Sequence, residues 1–415
     1  MKSILEELKE RKLLKQFTNE EKILNAQKEN AAIYCGFDPT ADSLHVGHLI
    51  QILNLKRFND YGFSPIAILG GGTGMIGDPS FKSQERNLLS LNEVENNVKS
   101  IQKQLSFLIP DIKVVNNSDW LSKMSLIDFL RDIGKDFNLA YLLAKENIAT
   151  RIEKGLSITE FSYTMLQGYD FYRLYEDYKC WVQIGGSDQW GNITSGIDYI
   201  SSKIGRENSK ACGITMNLLT KKDGVKFGKT ESGSIWLDKN KTSEYQFYQF
   251  FINQNDEDCE NLLNFLTTLS IDEIEILIEK HKQEPFKRLM QKTLAEEVTK
   301  FVHGENGLEK SKKITESLFS GNIQELKKKE LLSIVNSLVV TKVTTSLELV
   351  DFLVQSNIVT SKREARELIN EGAIWINNTN DFSQNTKIDK EYLTVDSYII
   401  VRKGKRNYSV VELIS

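Results

Sequence analysis

Through its first 220 or so residues the chain alternates apolar runs of strand length with stretches of helical periodicity, and few folds accommodate that order. Strands are predicted at 31–36, 65–70, 112–115, 180–185 and 211–216. Helices at about 47–60, 92–108, 125–133, 160–178 and 190–204 fall between them. Such alternation implies a largely parallel sheet with helices on both faces. In such a sheet, ligands collect beyond the carboxyl ends of the strands, near the point where strand order reverses. Three polar, glycine-containing loops fall at strand ends: Gly36-Phe37-Asp38, Gly70 to Asp78, and Gly185-Gly186-Ser187-Asp188-Gln189.

The pattern then changes. From about 243 to 320 the strand signals vanish. Periodic apolar residues (Tyr245, Phe247, Phe250, Phe251, then Leu262, Phe265, Leu266) predict a helical cluster. The run Lys327-Lys328-Lys329 and the polar stretch to Thr345 read as a connection, and 346–415 as two short helices followed by strands. With 415 residues the chain has room for two or three domains. At the N-terminus, Ile4, Leu5, Leu8, Leu14 and Phe17 among Glu6, Glu7 and Glu10 predict an amphipathic helix. It lacks the continuous apolar core of a signal peptide and is too acidic for a transit peptide. No apolar run approaches the roughly 20 residues of a membrane span. Cys35, Cys180, Cys212 and Cys259 are scattered without a CxxC, which suggests reduced thiols and a cytoplasmic location. A formal net charge of −4 argues against a generally basic nucleic-acid coat, so any RNA contact must come from local patches.

Two segments carry the chemistry. His45-Val46-Gly47-His48 sits at a strand-to-helix junction, where unpaired backbone N–H groups and the helix dipole favour anions. Gly47 leaves room for a planar ring to lie against the backbone. Lys226-Phe227-Gly228-Lys229-Thr230, between Asp223-Gly224 and Ile235-Trp236-Leu237, reads as a loop able to close over phosphates. A zinc reading of the histidines has no HExxH and no paired cysteines to support it, so no metal site is predicted. Gly72-Thr73-Gly74-Met75-Ile76-Gly77 satisfies a dinucleotide GxGxxG, but Asp78-Pro79 follows where that fingerprint needs a continuing helix. In the helix at 160–178, Tyr163, Gln167 and Asp170 share one face in an aromatic-rich setting suited to a phenol. A buried Asp170 carboxylate needs a donor, which a ligand hydroxyl would provide, and Tyr34 could donate to or accept from the same hydroxyl.

HVGH and KFGKT resemble the HIGH and KMSKS signatures of class I aminoacyl-tRNA synthetases, with Phe227, Gly228 and Thr230 as departures in the second. YCGFDPTADSLHVGH, GGTGMIGDPS, FSYTMLQGYDF and QIGGSDQWGN extend the likeness. Taken together the segments resemble the bacterial-type tyrosyl-tRNA synthetases, with an S4-like RNA-binding tail. Phe81 and Gly72 depart from the common pattern beside the ligand loop.

The resemblance implies a Rossmann-like catalytic domain over 1–220 and the signature lysine loop with an α-helical domain over 221–325. A linker over 326–345 and a small α+β S4-like domain over 346–415 would follow. It assigns Tyr34 and Asp170 to the substrate phenol, Asp78, Tyr163 and Gln167 to the α-ammonium, and Gln189 to the tyrosyl carboxyl region. Cys35, Gly36, Asp38, Gly47, Gly186 and Asp188 would line the adenosine and ribose. Thr40, His45, His48, Lys226, Lys229 and Thr230 would face the phosphates, with Asn117 and Trp120 in lesser supporting roles. Partners implied are L-tyrosine, ATP with Mg2+ on its phosphates, tRNA(Tyr) and a second copy in a homodimer, with no membrane. In the tail, nine Lys or Arg against ten Asp or Glu leave no net basic character. Positive charge is concentrated in Lys362, Arg363 and Arg366 and in Arg402, Lys403, Lys405 and Arg406, where phosphate contact is expected.

Overall fold

The computed structural model describes residues 2–80, 89–152, 155–219, 227–230, 233–320, 322–344, 347–377, 379–404 and 407–414; at 229 and 230 the description stops at the backbone. It divides into two compact units, Met1–Asp238 with Gln254–Leu294, and Lys239–Asn253 with Ala295–Ser415.

The first unit is built on a six-stranded sheet. Its strands are β1 (Leu14–Phe17), β2 (Ala32–Phe37), β3 (Ser64–Leu69), β4 (Lys113–Asn116), β5 (Cys180–Gly186) and β6 (Cys212–Met216). The order is β1-β6-β5-β2-β3-β4, parallel except for β1, which pairs antiparallel with β6. The five parallel strands lie within a residue of the predicted ends; in β2, β3, β5 and β6 burial on both faces makes a largely apolar run, and in the edge strand β4 the pair Val114-Val115 marks the strand. All seven residues of β5 are buried. Strand order reverses between β2 and β5, so their carboxyl ends frame the crevice that such sheets offer to ligands.

The N-terminal expectation needs correction. The first helix, α1 (Ile4–Glu10), stops early; Lys12 turns left-handed at φ 58°, and Leu14 and Phe17 belong to β1. An i, i+3 spacing fits the ends of a four-residue strand as well as it fits a helix, and pairing with the open edge of β6 decides between them. Next, α2 (Glu20–Lys28) is capped by Asn19. Two more helices, α3 (Val46–Asp60) and α4 (Leu91–Leu108), match the prediction. The helix expected over 125–133 is a short turn, Leu126–Asp128, running into a wider π-turn, Phe129–Ile133.

Beyond these lie α5 (Ile158–Tyr178) and α6 (Trp190–Ile204). Gly168 and Gly196 face each other across them; a Cβ built on either would stand 3.5 Å from the other's Cα. That close approach fixes α5, and with it Tyr163, Gln167 and Asp170. After β6, β7 (Lys229–Thr230) and β8 (Gly233–Ser234) pair antiparallel, two residues each.

From 243 to 320 the described residues are helical, as predicted: α7 (Glu244–Ile252), α8 (Asp256–Leu266), α9 (Ile271–Gln283) and α10 (Leu289–Ser320), the last broken at Gly304, φ 71°. Within the first unit the far end of α3 is tied to α8. Buried Arg57 donates to the carbonyls of Asn264, Phe265 and Thr267 at 3.3, 2.9 and 2.7 Å, capping the negative end of that helix. Burial pulls the Arg57 pKa down to about 9.

In the second unit, the stretch expected to be a plain connection carries α11 (Lys328–Val335) and β9 (Val340–Thr344). Leu331, Ile334 and Val335 are buried along α11, and the β-branched run Val340-Thr341-Lys342-Val343-Thr344 suits a strand. Next in the chain come β10 (Leu347–Glu348), α12 (Leu349–Gln355), α13 (Lys362–Asn370), β11 (Ile374–Ile376), β12 (Lys387–Ile388), β13 (Tyr398–Lys403) and β14 (Asn407–Ile414). A four-stranded sheet runs β11-β13-β14-β9, with β9 parallel to β14. One face of it, with Ile374, Ile399, Val401 and Val411, packs on Leu349, Phe352, Ala365 and Ile369 of α12 and α13. The other, with Ile400 and Val410, packs on Ile314, Leu318, Leu331 and Ile334. Among the described residues, no helix is long and apolar enough to cross a membrane.

Candidate active site

Where β2 and β5 diverge, a cavity of about 380 Å3 opens at their carboxyl ends. It gathers residues that lie far apart in sequence. Tyr34, Cys35, Gly36 and Asp38 come from β2 and its loop, His45, Gly47 and His48 from the start of α3, and Asp78 from the second loop. Tyr163, Gln167 and Asp170 come from α5, and Gly186, Asp188 and Gln189 from the end of β5. Thr40 is exposed and is not among the lining residues. Lys226 lies outside the described residues, as do the side chains of Lys229 and Thr230.

At the deep end, Tyr34 is 1% exposed and its ring lies 5.2 Å from that of Phe171. Burial pushes its pKa well up, so the hydroxyl keeps its proton. That hydroxyl has no hydrogen-bond partner among the described residues. Beside it, Asp170 accepts from Asn117 Nδ2 at 2.8 Å and from Trp120 Nε1 at 2.7 Å. Sequence reasoning looked to a ligand for the donor; the protein supplies two, and each oxygen keeps a lone pair. Burial raises the Asp170 pKa to about 7, against the pull of the two donors.

The second hydrogen of Asn117 Nδ2 goes to Thr73 Oγ1 at 2.9 Å, and Thr73 donates to Asp38 Oδ1 at 3.1 Å. The other Asp38 oxygen accepts from the Tyr163 hydroxyl at 3.0 Å. Asp38, expected beside a ribose, is thus linked to the residues around Asp170. On the facing wall Gln189 Nε2 donates to Asp78 Oδ2 at 2.8 Å, while its Oε1 accepts from Asn192 at 3.2 Å and from Gln167 at 3.4 Å. Gln167 Oε1 and Gln183 Oε1 are buried without partners among the described residues. Three unpartnered polar atoms around one cavity are unusual in a folded protein, and a polar ligand would satisfy them.

Sequence reasoning missed Thr73, Gln183 and Asn192, and it underweighted Asn117 and Trp120. A signal existed for Gln183: it is the one polar side chain inside the buried run Cys180-Trp181-Val182-Gln183-Ile184. The glycines of the second loop serve the protein's own side chains. A Cβ on Gly70 would stand 2.2 Å from Asp38 Oδ1, on Gly71 2.2 Å from Asn116 Oδ1, and on Gly74 2.9 Å from Pro39 Cδ. Thr73–Met75 is a single 3-10 turn. With no helix opening there, the dinucleotide reading lacks its phosphate site.

At the start of α3, His45 is the N-cap. Its Nδ1 accepts from Gly47 N–H at 3.0 Å, and His48 Nδ1 accepts from His45 N–H at 3.2 Å. The rings lie 4.0 Å apart. With Nδ1 accepting, each neutral imidazole carries its proton on Nε2. The planar ring lying against Gly47 is that of His45: a Cβ there would stand 2.7 Å from His45 Cε1. The stems of the lysine loop reach the same place. Val46 N–H donates to Ile235 O at 2.9 Å, Ile235 N–H to Gly228 O at 3.1 Å, and Leu237 N–H to Leu44 O at 2.8 Å. Gly228, at φ 87°, is seated so that a Cβ would stand 3.4 Å from Gly47 N. The two signatures, 180 residues apart, are therefore spatial neighbours.

In the second unit the expected basic residues separate. Lys362 pairs with Asp351 at 2.6 Å and Arg363 with Glu367 at 3.0 Å, while Arg366 is exposed on α13. Lys403 turns to Glu364 at 3.2 Å on the α13 face of the sheet, and Arg402 to the opposite face. Lys405 and Arg406 lie outside the described residues.

Asp170 gives the cavity a pH dependence. For a ligand hydroxyl to donate to Asp170 the carboxylate must be ionised, so such binding below about pH 7 would first have to expel a proton. Affinity for a phenol is expected to fall towards about tenfold per pH unit on the acid side of that value. The fall is expected to vanish in Asp170→Asn, and a flat wild-type profile in equilibrium titrations from pH 5.5 to 8 would contradict the assignment. Stability has the opposite sign. The folded pKa lies above the ordinary 3.8, so the folded state holds the extra proton and Asp170 destabilises it increasingly from about pH 4 to about pH 7.

The sequence model of the family described as tRNA synthetases class I (W and Y) matches residues 26–320, and that described as the tyrosine–tRNA ligase SYY-like C-terminal domain matches 325–411. The tyrosine–tRNA ligase of Mycoplasma mycoides subsp. mycoides is 58% identical over 409 residues, 99% of each chain. Tyrosine–tRNA ligase 1 of Bacillus subtilis is 49% identical over 423 aligned positions, 99% of each. Among solved structures, a C-terminally truncated mitochondrial tyrosyl-tRNA synthetase of Aspergillus nidulans is 30% identical with a TM-score of 0.69, covering 77% of this chain and 95% of its own.

Proposed function

We propose how a chain that belongs to the tyrosine–tRNA ligase family, within the class I synthetases, divides its reaction among the residues of this cavity. The enzyme activates L-tyrosine with ATP to tyrosyl-adenylate and pyrophosphate, then transfers the tyrosyl group to the 3′-terminal adenosine of tRNA(Tyr). In our reading the unpartnered Tyr34 hydroxyl and the Asp170 carboxylate take the phenol, and this pairing is the observation that carries the assignment. Asp78, Tyr163 and Gln167 surround the α-ammonium, and Gln189 the carboxyl region. Asp38 borders the ribose and, through its bonds to Tyr163 and Thr73, orients both. Gly36, Gly186 and Asp188 border the adenosine.

The tyrosine carboxylate is ionised near neutral pH and attacks the α-phosphate without a general base. The protein's part is to align the attack and to place donors where charge gathers on the leaving pyrophosphate. His45, His48 and the positive end of α3 supply these from one side, and Lys226, Lys229 and Thr230 from the lysine loop on the other. Mg2+ arrives with the phosphates of ATP. In the second step a ribose hydroxyl of the tRNA displaces AMP.

The same reading places the catalytic work in residues 1–220, the loop and helical domain over 221–325, and tRNA contact in the tail, in the cytoplasm. Of the expected linker, α11 and β9 join the tail. Leu126, Ile127, Leu139 and Ile158 are 70%, 65%, 59% and 87% exposed, apolar surface that suits burial against a second copy. Sedimentation equilibrium should give twice the chain mass; a single-chain mass would remove the homodimer.

The direct test is ATP–pyrophosphate exchange without tRNA, with tyrosine, phenylalanine and tryptophan run in parallel. Exchange with tyrosine alone is expected. Exchange with tryptophan would keep the fold and chemistry but overturn the roles of Tyr34 and Asp170.

A further inference from the structure

We propose that Trp375 and Arg402 form a stacking platform for an unpaired base of the bound tRNA, on the face of the tail sheet opposite α13. The proposal rests on the reading of the chain as a tRNA ligase. It begins from strand alternation. Arg402 and Lys403 are adjacent in sequence, but side chains of successive strand residues point to opposite faces. Lys403 lies with Ile399 and Val401 on the face covered by α12 and α13, where it meets Glu364. Arg402 lies with Ile400 on the other. The basic run of the sequence is therefore two different sites.

On that second face Arg402 is directly opposite Trp375 of β11 and Tyr408 of β14. Its guanidinium carbon sits 4.4 Å from the centroid of the Trp375 ring. Tyr408 is held in place by donating its hydroxyl to Leu318 O of α10. Further along the face, Ile400 and Val410 are buried beneath Leu331 and Ile334, whereas Trp375, Arg402 and Tyr408 remain half-buried where that cover ends. Among the described residues, Lys362, Arg363 and Lys403 each have a carboxylate within ion-pair distance and Arg402 has none.

A guanidinium laid on an indole presents a flat, weakly hydrated cationic plane, and such planes stack well with nucleobases. The donors of the group lie in that plane; one meets the Tyr408 hydroxyl, and stacking leaves the others available to the flanking phosphate. A solvated lysine could supply the charge but not the plane. Placement opposite α13 means that, in this proposal, the tail meets its RNA from both faces of the sheet, with phosphate contact on the α13 face and a base on the other.

The test uses the full-length protein and tRNA(Tyr), with dissociation constants measured across a range of salt and pyrophosphate exchange as the control for folding. Trp375→Ala is expected to weaken tRNA binding roughly tenfold without changing the salt slope, the behaviour of a lost stack. Arg402→Ala should weaken it and lower the slope by about one. Arg402→Lys decides between plane and charge. It keeps the charge and the slope, and is expected to lose affinity as Trp375→Ala does. Wild-type affinity in Arg402→Lys, or in Trp375→Ala, would overturn the platform. All variants should exchange pyrophosphate normally, since the platform is in the tail. A wild-type protein that exchanges pyrophosphate but does not bind tRNA(Tyr) would instead sink the tail's assignment to RNA.

Discussion

Tyr34→Phe and Asp170→Asn are expected to remove most of the enzyme's preference for tyrosine over phenylalanine, by different routes. In the wild type, phenylalanine would seal the cavity against the Tyr34 hydroxyl and the Asp170 carboxylate without offering either a partner. An unsatisfied buried polar group costs about 1–3 kcal/mol, and a charged one more. The Tyr34 hydroxyl alone therefore gives roughly 5- to 150-fold in relative kcat/KM, and the bond forgone at Asp170, which keeps its two protein donors, adds to it. Tyr34→Phe removes the neutral one, so activation of phenylalanine should improve while tyrosine loses one hydrogen bond. Asp170→Asn is harsher. Asn117 Nδ2 and Trp120 Nε1 both donate to residue 170, and an amide offers one acceptor where the carboxylate offered two. One donor is left facing an NH2, so tyrosine activation should fall further than in Tyr34→Phe. Exchange kinetics with both amino acids give the ratio directly. An unchanged ratio in Tyr34→Phe would mean that the hydroxyl does not face the substrate phenol.

The central sheet was legible because a strand buried on both faces leaves a continuous apolar signature, as in Cys180–Ile184. The two signature segments were legible because their chemistry is local: a strand end, a glycine and a helix start lie within a few residues. β1 and β9 were not, since each is an edge strand whose short run fits another reading until a partner strand is known. Thr73 and Asn117 were obscure for a related reason. A relay from Asp170 through Asn117 and Thr73 to Asp38 joins four loops and helices, and no spacing within one segment records it. Gln183 was recoverable, because a polar side chain inside a buried strand needs a reason. The split between Arg402 and Lys403 follows from strand period alone, once that segment is read as β-structure.

His45→Asn and Gly47→Ala are expected to slow tyrosyl-adenylate formation by roughly 10²–10³, the size of a lost transition-state donor, while tyrosine affinity stays close to wild type. Tyrosine binding depends on the deep end of the cavity, and these residues sit at the start of α3. Asparagine retains an N-cap acceptor for the first turn, so the loss in His45→Asn belongs to the imidazole and not to a frayed helix. Gly47→Ala leaves the imidazole in the chain and improves helix propensity. However, its Cβ would stand 2.7 Å from His45 Cε1 and 2.9 Å from Nδ1, so the ring must move and its Nδ1 must release the backbone N–H that orients it. Both substitutions then remove the same oriented Nε2 donor, and the double variant should be little slower than either single one. Burst rates of adenylate formation measured beside equilibrium tyrosine binding separate the two effects. A Gly47→Ala enzyme with a normal burst rate would show that the ring's orientation is immaterial. Losses that multiply in the double variant would show that Gly47 serves the phosphates by a route of its own, through the backbone at the positive end of α3.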